Sequence, residues 1–280
     1  MKYRGMVVSD FDGTIYDKTN GFSKEDINTL KSLKKSNYVR VLATGRSLQS
    51  LYRAIDSSFP VDYVVFSSGA GVYELRREEL LKRTVFSVEQ TEELCRRLIE
   101  LELDFMVHHP IPDNHYFHYH RGGEGQSDFL RRIELYKKYA LDFEWRQVRH
   151  LEATQFVIIT PPEQELLQKL QAEFQQQCSV IWSSSPLDGS SFWIELFPIG
   201  AHKGSGSAWL ADRVGVLQKD TMAVGNDFND VHMLEWSGTG FVVANAPVEL
   251  RRRFAEVAAC GEGGFSEAVA RWLSYRDGKA

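Results

Sequence analysis

Short apolar, β-branched runs alternate along the chain with stretches whose apolar positions recur every three or four residues, the pattern of a parallel sheet covered by helices. Met6 to Ser9, Val39 to Ala43, Tyr63 to Ser67, Thr221 to Val224 and Phe241 to Ala244 are nearly continuous apolar runs and are predicted as strands buried on both faces. Ile27, Leu30 and Leu33 share one face of a helix predicted over Lys24 to Lys35, with Ser23 as its cap and Asp26 three residues on. A second helix is predicted from Leu48 to about Ser57. After Gly71 the pattern changes. Val72 to Leu75 and Leu80 to Val85 read as a hairpin, and a helix from Val88 to Leu103 follows, capped by Ser87 with Gln90 at its third position. Strand-like segments at Phe105 to His108, Tyr116 to His120, Gln155 to Thr160, Val180 to Ser183 and Phe192 to Phe197 are interleaved with helices near Ser127 to Tyr139 and Pro162 to Gln177. The fold class is therefore α/β. The expected organisation is a parallel-sheet core formed by 1–83 and 195–280, with a second, more antiparallel α/β unit inserted as 84–194.

Composition narrows the function classes. The 280 residues are 43% hydrophobic and 25% charged, as in an ordinary globular protein, and the net charge of −5 offers no basic footprint for nucleic acid. Cys95, Cys178 and Cys260 are far apart, without CxxC spacing, and read as reduced thiols of a cytoplasmic protein. The first strand starts within a few residues of the N-terminus, leaving no room for a signal peptide, and no apolar run approaches the roughly 20 residues that span a bilayer. A membrane partner is not expected, and oligomeric state is left open.

The chemistry is concentrated where the apolar runs end. In Val7-Val8-Ser9-Asp10-Phe11-Asp12-Gly13-Thr14 two carboxylates stand two residues apart at the end of a strand, so both can point to one side. Such a pair suits a hard divalent cation such as Mg²⁺, and an Asp carboxylate can also act as a covalent nucleophile. Asp-x-Asp-Gly alone is equally compatible with a solvated turn. Thr44 ends a second strand and precedes Gly45; its hydroxyl with the Gly45 amide can grip phosphate oxygens, or it can cap the helix that follows, with Ser47 competing for that role.

Asp10-Phe11-Asp12-Gly13-Thr14 resembles motif I of the haloacid dehalogenase superfamily of phosphohydrolases. Three further segments match that family in order: Ala43-Thr44-Gly45-Arg46 is similar to motif II, Lys203 in Ala201-His202-Lys203-Gly204 to motif III, and Gly225-Asn226-Asp227-Phe228-Asn229-Asp230 to motif IV. The long gap between motifs II and III resembles the Cof-like branch, subfamily IIB, which carries a C2-type α/β cap there. The resemblance implies a Rossmann-like core, with Asp10 as the nucleophile that forms an aspartyl-phosphate and Asp12 as general acid and then base. It further implies Lys203, Thr44 and Gly45 as phosphate-binding groups and Mg²⁺ as cofactor, held by Asp10, Asp12, Asn226 and Asp230. Asp12 argues against dehalogenase chemistry, because cleavage of a carbon–halogen bond needs no proton on the leaving group.

Motif IV departs from the usual Gly-Asp-x-x-Asn-Asp. Asn226 occupies the position of a metal-binding Asp, and Asp227 follows; either can be the ligand, and the register of Asn229 and Asp230 favours Asn226. Ser68, in Ser67-Ser68-Gly69-Ala70-Gly71, stands where relatives commonly have Asn. Five of the eight histidines lie in the expected cap, at His108, His109, His115, His118 and His120. The strand from His115 to Arg121 is a candidate substrate surface, with His118 and Arg121 its first choices and Arg46 a third contact. Taken together, these readings give a Mg²⁺-dependent phosphomonoesterase acting on a sugar phosphate or similar small phosphorylated metabolite. The alternatives are a phosphomannomutase-like sugar phosphomutase and a catalytically silent phosphate-binding protein.

Overall fold

The apolar runs of the two outer thirds of the chain pair in one eight-stranded sheet. The order is Ala255–Val257, Thr239–Val243, Thr221–Gly225, Met6–Asp10, Val39–Ala43, Tyr63–Phe66, Gly71–Glu74 and Glu79–Arg83. The computed structural model describes residues 3–123, 127–185, 191–276 and 278. The first six strands of the order run parallel, and Gly71–Glu74 turns back antiparallel on Tyr63–Phe66. Val8, Val41, Ala43, Val65, Ala223 and Val242 form its core with Leu210 and Met233 from the covering helices. The α/β class follows, as the sequence pattern indicates: strands covered on both faces have no polar side to show.

A fully buried charge interrupts the apolar run of one of these strands. Arg40, in the Val39–Ala43 strand, donates from Nε to Asp62 Oδ2 at 3.0 Å, from Nη2 to Asp62 Oδ1 at 2.5 Å and from Nη1 to the Pro60 carbonyl at 2.6 Å. The planar guanidinium satisfies several acceptors at once, which makes its burial tolerable.

Helix ends follow local chemistry. Ser23 Oγ accepts from the Asp26 amide at 3.0 Å and starts the Lys24–Lys35 helix. The Asp26 carboxylate does not close the box; it accepts instead from the amide and hydroxyl of Ser266, at 3.0 and 2.6 Å, tying this helix to Gly264–Arg276. Ser87 and Gln90 form a complete capping box on the Val88–Glu100 helix. The helix expected from Leu48 to Ser57 ends at Leu51. Downstream, Asp56 Oδ1 accepts from both the amide and the hydroxyl of Ser58, a local turn that competes with helix.

The chain forms two compact units, Met1–Arg46, Leu51–Lys82 and His202–Ala280 as one, and Ser47–Ser50 with Arg83–Ala201 as the other. The second unit holds a six-stranded sheet ordered Ala140–Asp142, Phe117–His120, Phe105–His108, Phe156–Thr160, Phe192–Pro198 and Cys178–Ser184, antiparallel except for its first pair. Phe192–Pro198 belongs to this sheet along its whole length. Leu94, Leu98, Phe105, Phe156, Leu167 and Ile194 fill one face, and Met106, Phe117, Phe129 and Trp193 the other. Among the described residues no helix is long and apolar enough to cross a membrane.

Candidate active site

Asp10 is the last residue of its strand, and the chain turns at once. Gly13 has φ +76°, and a Cβ there would lie 2.7 Å from the Asn226 carboxamide, so the turn needs glycine for both conformation and space. Lys203 opens the Lys203–Val214 helix from the first unit's later segment. The chain before that helix lies so close to Gly69 that a Cβ on Gly69 would meet the His202 carbonyl at 2.1 Å.

These turns bring distant residues together. Lys203 Nζ donates to Asp10 Oδ1 and to Asp230 Oδ1, each at 2.7 Å, and reaches Asn229 Oδ1 at 3.4 Å. The other oxygen of Asp230 accepts from the amides of Asn226 and Asp227, at 2.9 and 3.1 Å. Asp230 thus fastens Lys203 to the motif IV loop, and both its oxygens are committed. Asp10 Oδ2 accepts from the Thr14 hydroxyl at 2.9 Å. Burial and then the charge of Asp230 push Asp10 up to about 7, against the pull of Lys203. Burial works against the Lys203 ammonium, but Asp10 and Asp230 outweigh it and hold it protonated well above its ordinary range.

Asp12 points elsewhere. Its carboxylate is held by Arg46 in a bidentate pair, Nε to Oδ2 at 2.8 Å and Nη2 to Oδ1 at 2.6 Å, partly open to solvent. Only the main-chain carbonyl of Asp12 turns toward Asn226. Thr44 is buried; its Oγ accepts from the Arg46 amide at 3.1 Å, leaving its own proton to donate. The helix-capping alternative goes to Ser47, whose Oγ accepts from the Ser50 amide at 3.3 Å. Asp227 caps its own turn, accepting from the Phe228 amide at 2.7 Å, and burial raises its carboxyl above the usual range. Its side chain is therefore spent within the loop, while Asn226 faces Asp10.

Asn226 settles its surroundings with the amide nitrogen inward. It then donates to Asp10 Oδ2 at 3.0 Å, the Asp12 carbonyl at 3.1 Å and the Thr14 oxygen at 3.3 Å. The opposite orientation would set its oxygen against a carboxylate and a carbonyl.

Ser68 carries a signal that sequence reasoning passed over. It adopts φ 51°, and its buried hydroxyl finds no partner among the described residues, 3.5 Å from where a Cβ on Gly45 would stand. The second-unit candidates fare differently. His118 is 3% exposed, with Nδ1 3.1 Å from the Asp142 carbonyl and its ring stacked on His109, so the structure sets it inside its sheet and not on an open surface. Arg121, just beyond the strand, is exposed. No group of three or more His, Cys, Asp and Glu side chains suited to a metal occurs among the described residues. A cation at the motifs would therefore draw on a carbonyl and an amide as well as on Asp10.

A family model described as haloacid dehalogenase-like hydrolase matches residues 7–264. An HMP-PP phosphatase of Klebsiella pneumoniae is 23% identical over 279 residues, covering 96% of this chain and 95% of that protein. A phosphatase of the haloalkanoate superfamily from Bacteroides thetaiotaomicron aligns with a TM-score of 0.80 at 19% identity, covering 98% of this chain and 96% of that one. A subclass IIB sugar phosphatase aligns with a TM-score of 0.73 at 15% identity, covering 96% and 99%. At these identities the structural matches establish the fold.

Proposed function

The chain belongs to the haloacid dehalogenase-like hydrolases, in their Cof-like branch, and is a phosphatase of that family; we propose that it is a Mg²⁺-dependent phosphomonoesterase working through an aspartyl-phosphate on a sugar phosphate or similar small metabolite. The observation that carries the mechanism is the Lys203 ammonium, buried and shared at 2.7 Å by Asp10 and Asp230. It holds Asp10 in place and keeps a fixed positive charge beside the reacting oxygen.

Asp10, Asp12 and Asn226 present a carboxylate oxygen, a carbonyl and an amide group, the inward amide position lying 3.0 Å from Asp10 Oδ2 and 3.1 Å from the Asp12 carbonyl, a donor set that fits a hard cation. A bound Mg²⁺ supplies positive charge to the phosphoryl oxygens. The protein's own residues do the rest. Thr44 and the Gly45 amide grip the phosphate. A carboxylate oxygen of Asp10 attacks phosphorus, and the bond from phosphorus to the ester oxygen breaks. The leaving alkoxide takes a proton from Asp12. Arg46 now holds Asp12, and the incoming phosphate competes for that guanidinium, freeing Asp12 to carry the proton. Asp12 then accepts a proton from water as the water oxygen attacks phosphorus. The acyl phosphate bond to Asp10 breaks, and inorganic phosphate departs. A positioned acid–base group contributes roughly 10²–10⁴-fold. The three cysteines are free, two of them buried, in keeping with a cytoplasmic setting.

The test is Asp10→Asn, which keeps size and removes the attacking charge. Phosphate release from a panel of phosphorylated metabolites, with and without Mg²⁺, should fall to background while the variant retains its native circular dichroism. Wild-type turnover by undeamidated Asp10→Asn sinks the aspartyl-phosphate mechanism.

A further inference from the structure

Asn226 joins segments that are 212 residues apart in sequence from Thr14, and its two orientations have opposite consequences. With nitrogen inward, two amide protons are shared among Asp10 Oδ2, the Asp12 carbonyl and the Thr14 oxygen. Thr14 gives its own proton to Asp10 Oδ2, so its oxygen is free to accept and every acceptor faces a donor. With oxygen inward, the same atomic position can accept from the Thr14 hydroxyl at 3.3 Å only in competition with Asp10, and it faces a carboxylate and a carbonyl at 3.0 and 3.1 Å with no proton between them. That arrangement is repulsive on its own and suits a hard cation. Neighbouring ligands of an octahedron with arms of about 2.0–2.1 Å lie about 2.9 Å apart, close to the spacing found here. Changing orientation takes a half-turn about the terminal torsion of Asn, which is a soft one, and it moves no backbone.

We propose that Asn226 is a two-position switch: nitrogen inward, it clamps Asp10 to the Asp12 and Thr14 turn of the metal-free protein; oxygen inward, it is a neutral ligand of the divalent cation. The identity of that cation as Mg²⁺ rests on the function proposed above; the clamp rests on the contacts alone. An Asp at this position could serve only the second state. It has no proton to donate, and in the metal-free site its charge would stand about 3 Å from Asp10, where two carboxylates resist joint ionisation. The amide therefore trades metal affinity for a site that holds together without metal. The two states exclude each other, so whatever the clamp adds to metal-free stability is subtracted from the free energy of metal binding.

The experiment compares wild type, Asn226→Asp and Asn226→Leu by thermal unfolding in chelator and by calorimetric titration with Mg²⁺. In chelator both variants should unfold about 2–4 °C below wild type, the Leu variant through loss of the donor and the Asp variant through added repulsion. Toward Mg²⁺ they should part, Asn226→Asp binding about tenfold more tightly than wild type and Asn226→Leu about tenfold more weakly, as ligand charge count dictates. An Asn226→Leu midpoint equal to wild type in chelator overturns the clamp, and so does an Asn226→Asp variant more stable than wild type without metal. If either occurs while wild type still releases phosphate, the switch falls and the enzymatic reading stands. The expected midpoints and affinities in a protein that hydrolyses no phosphate ester would leave the switch standing and remove the phosphomonoesterase.

Discussion

The first unit keeps its deepest cations charged and paired with carboxylates, whereas the histidines packed into the second are driven toward neutrality. Lys203 is 1% exposed between Asp10 and Asp230, and Arg40 is 0% exposed against Asp62. In the second unit His108 is 5% exposed, and burial, helped by the nearby Arg132 charge, lowers its ring to about 3. His109, His115 and His120 are lowered as well, in each case first by burial. Asp128, also buried, has one carboxylate oxygen held by neutral donors, Ser191 Oγ at 2.6 Å and Trp193 Nε1 at 2.8 Å. Burying an ion is costly in either place. In the first unit partner charges offset that cost at Lys203 and Arg40, and the second meets the same penalty at its histidines by shedding protons.

The comparison breaks most visibly at Lys203. Lys203→Met leaves Asp10 and Asp230 facing one another without a cation. We expect a loss of about 3–5 kcal/mol in urea unfolding, the usual result of removing one partner of a buried pair. We also expect at least about a 10²-fold fall in phosphate release, since a preorganised electrostatic group is lost. A variant as stable as wild type would mean that the two carboxylates are not both charged in the folded protein, and the contrast between the units would lose its first half.

Acid should separate the units next. The His108 ring titrates near 6.5 when unfolded and near 3 when folded, so its contribution is present above about 6.5 and is lost as pH falls toward about 3. The slope is on the order of 1.4 kcal/mol per pH unit. Asp10 runs the other way. Its folded value of about 7 lies above the ordinary 3.8, so its contribution is full below 3.8 and is lost as pH rises through about 7. Between pH 6 and 4 the second unit should weaken first, roughly in step with its histidines. Native-state hydrogen exchange should show Phe105–His108 losing protection before Met6–Asp10. Equal loss in both strands would count against neutral burial as the second unit's device.

What the sequence made legible follows the same physics. Strands such as Met6–Asp10 and Thr221–Gly225 could be read because burial on both faces forces an unbroken apolar run. Arg40 escaped because its partner Asp62 lies 22 residues away and nothing local marks the pairing. Asp26 looked like half of a capping box because the pattern could not register Ser266, 240 residues distant. At the site, residue types and their order singled out Asp10, Thr44 and Lys203 as candidates; strand ends fix where Asp10 and Thr44 emerge, and a helix start fixes Lys203. The pairing of Asp12 with Arg46, the commitment of both Asp230 oxygens and the orientation of the Asn226 amide depend on atoms brought together by folding. Alternation placed His118 on one face of a strand. It could not say that Ala140–Asp142 would pair alongside and accept the ring through the Asp142 carbonyl.

The smallest effect expected concerns His118 and Arg121, which the structure now separates. If the core motifs engage only phosphate and metal, as proposed, discrimination among esters should come from the second unit, where polar groups matched to one alcohol reject others. Arg121 is exposed beyond the end of Phe117–His120 and supports little of the fold, so Arg121→Ala should change stability by less than about 0.5 kcal/mol. If the residue reads substrate, kcat/KM for anionic or polyhydroxy sugar phosphates should drop relative to p-nitrophenyl phosphate. His118→Ala removes a buried ring from its bond to Asp142 and its stack on His109. It should cost about 1–3 kcal/mol and lower all substrates together, as a packing change does. Measuring kcat/KM for both variants over the same ester panel distinguishes the roles. An unchanged ranking in Arg121→Ala removes that residue from substrate choice. A changed ranking in His118→Ala would show that an imidazole 3% exposed in this structure still reaches the substrate.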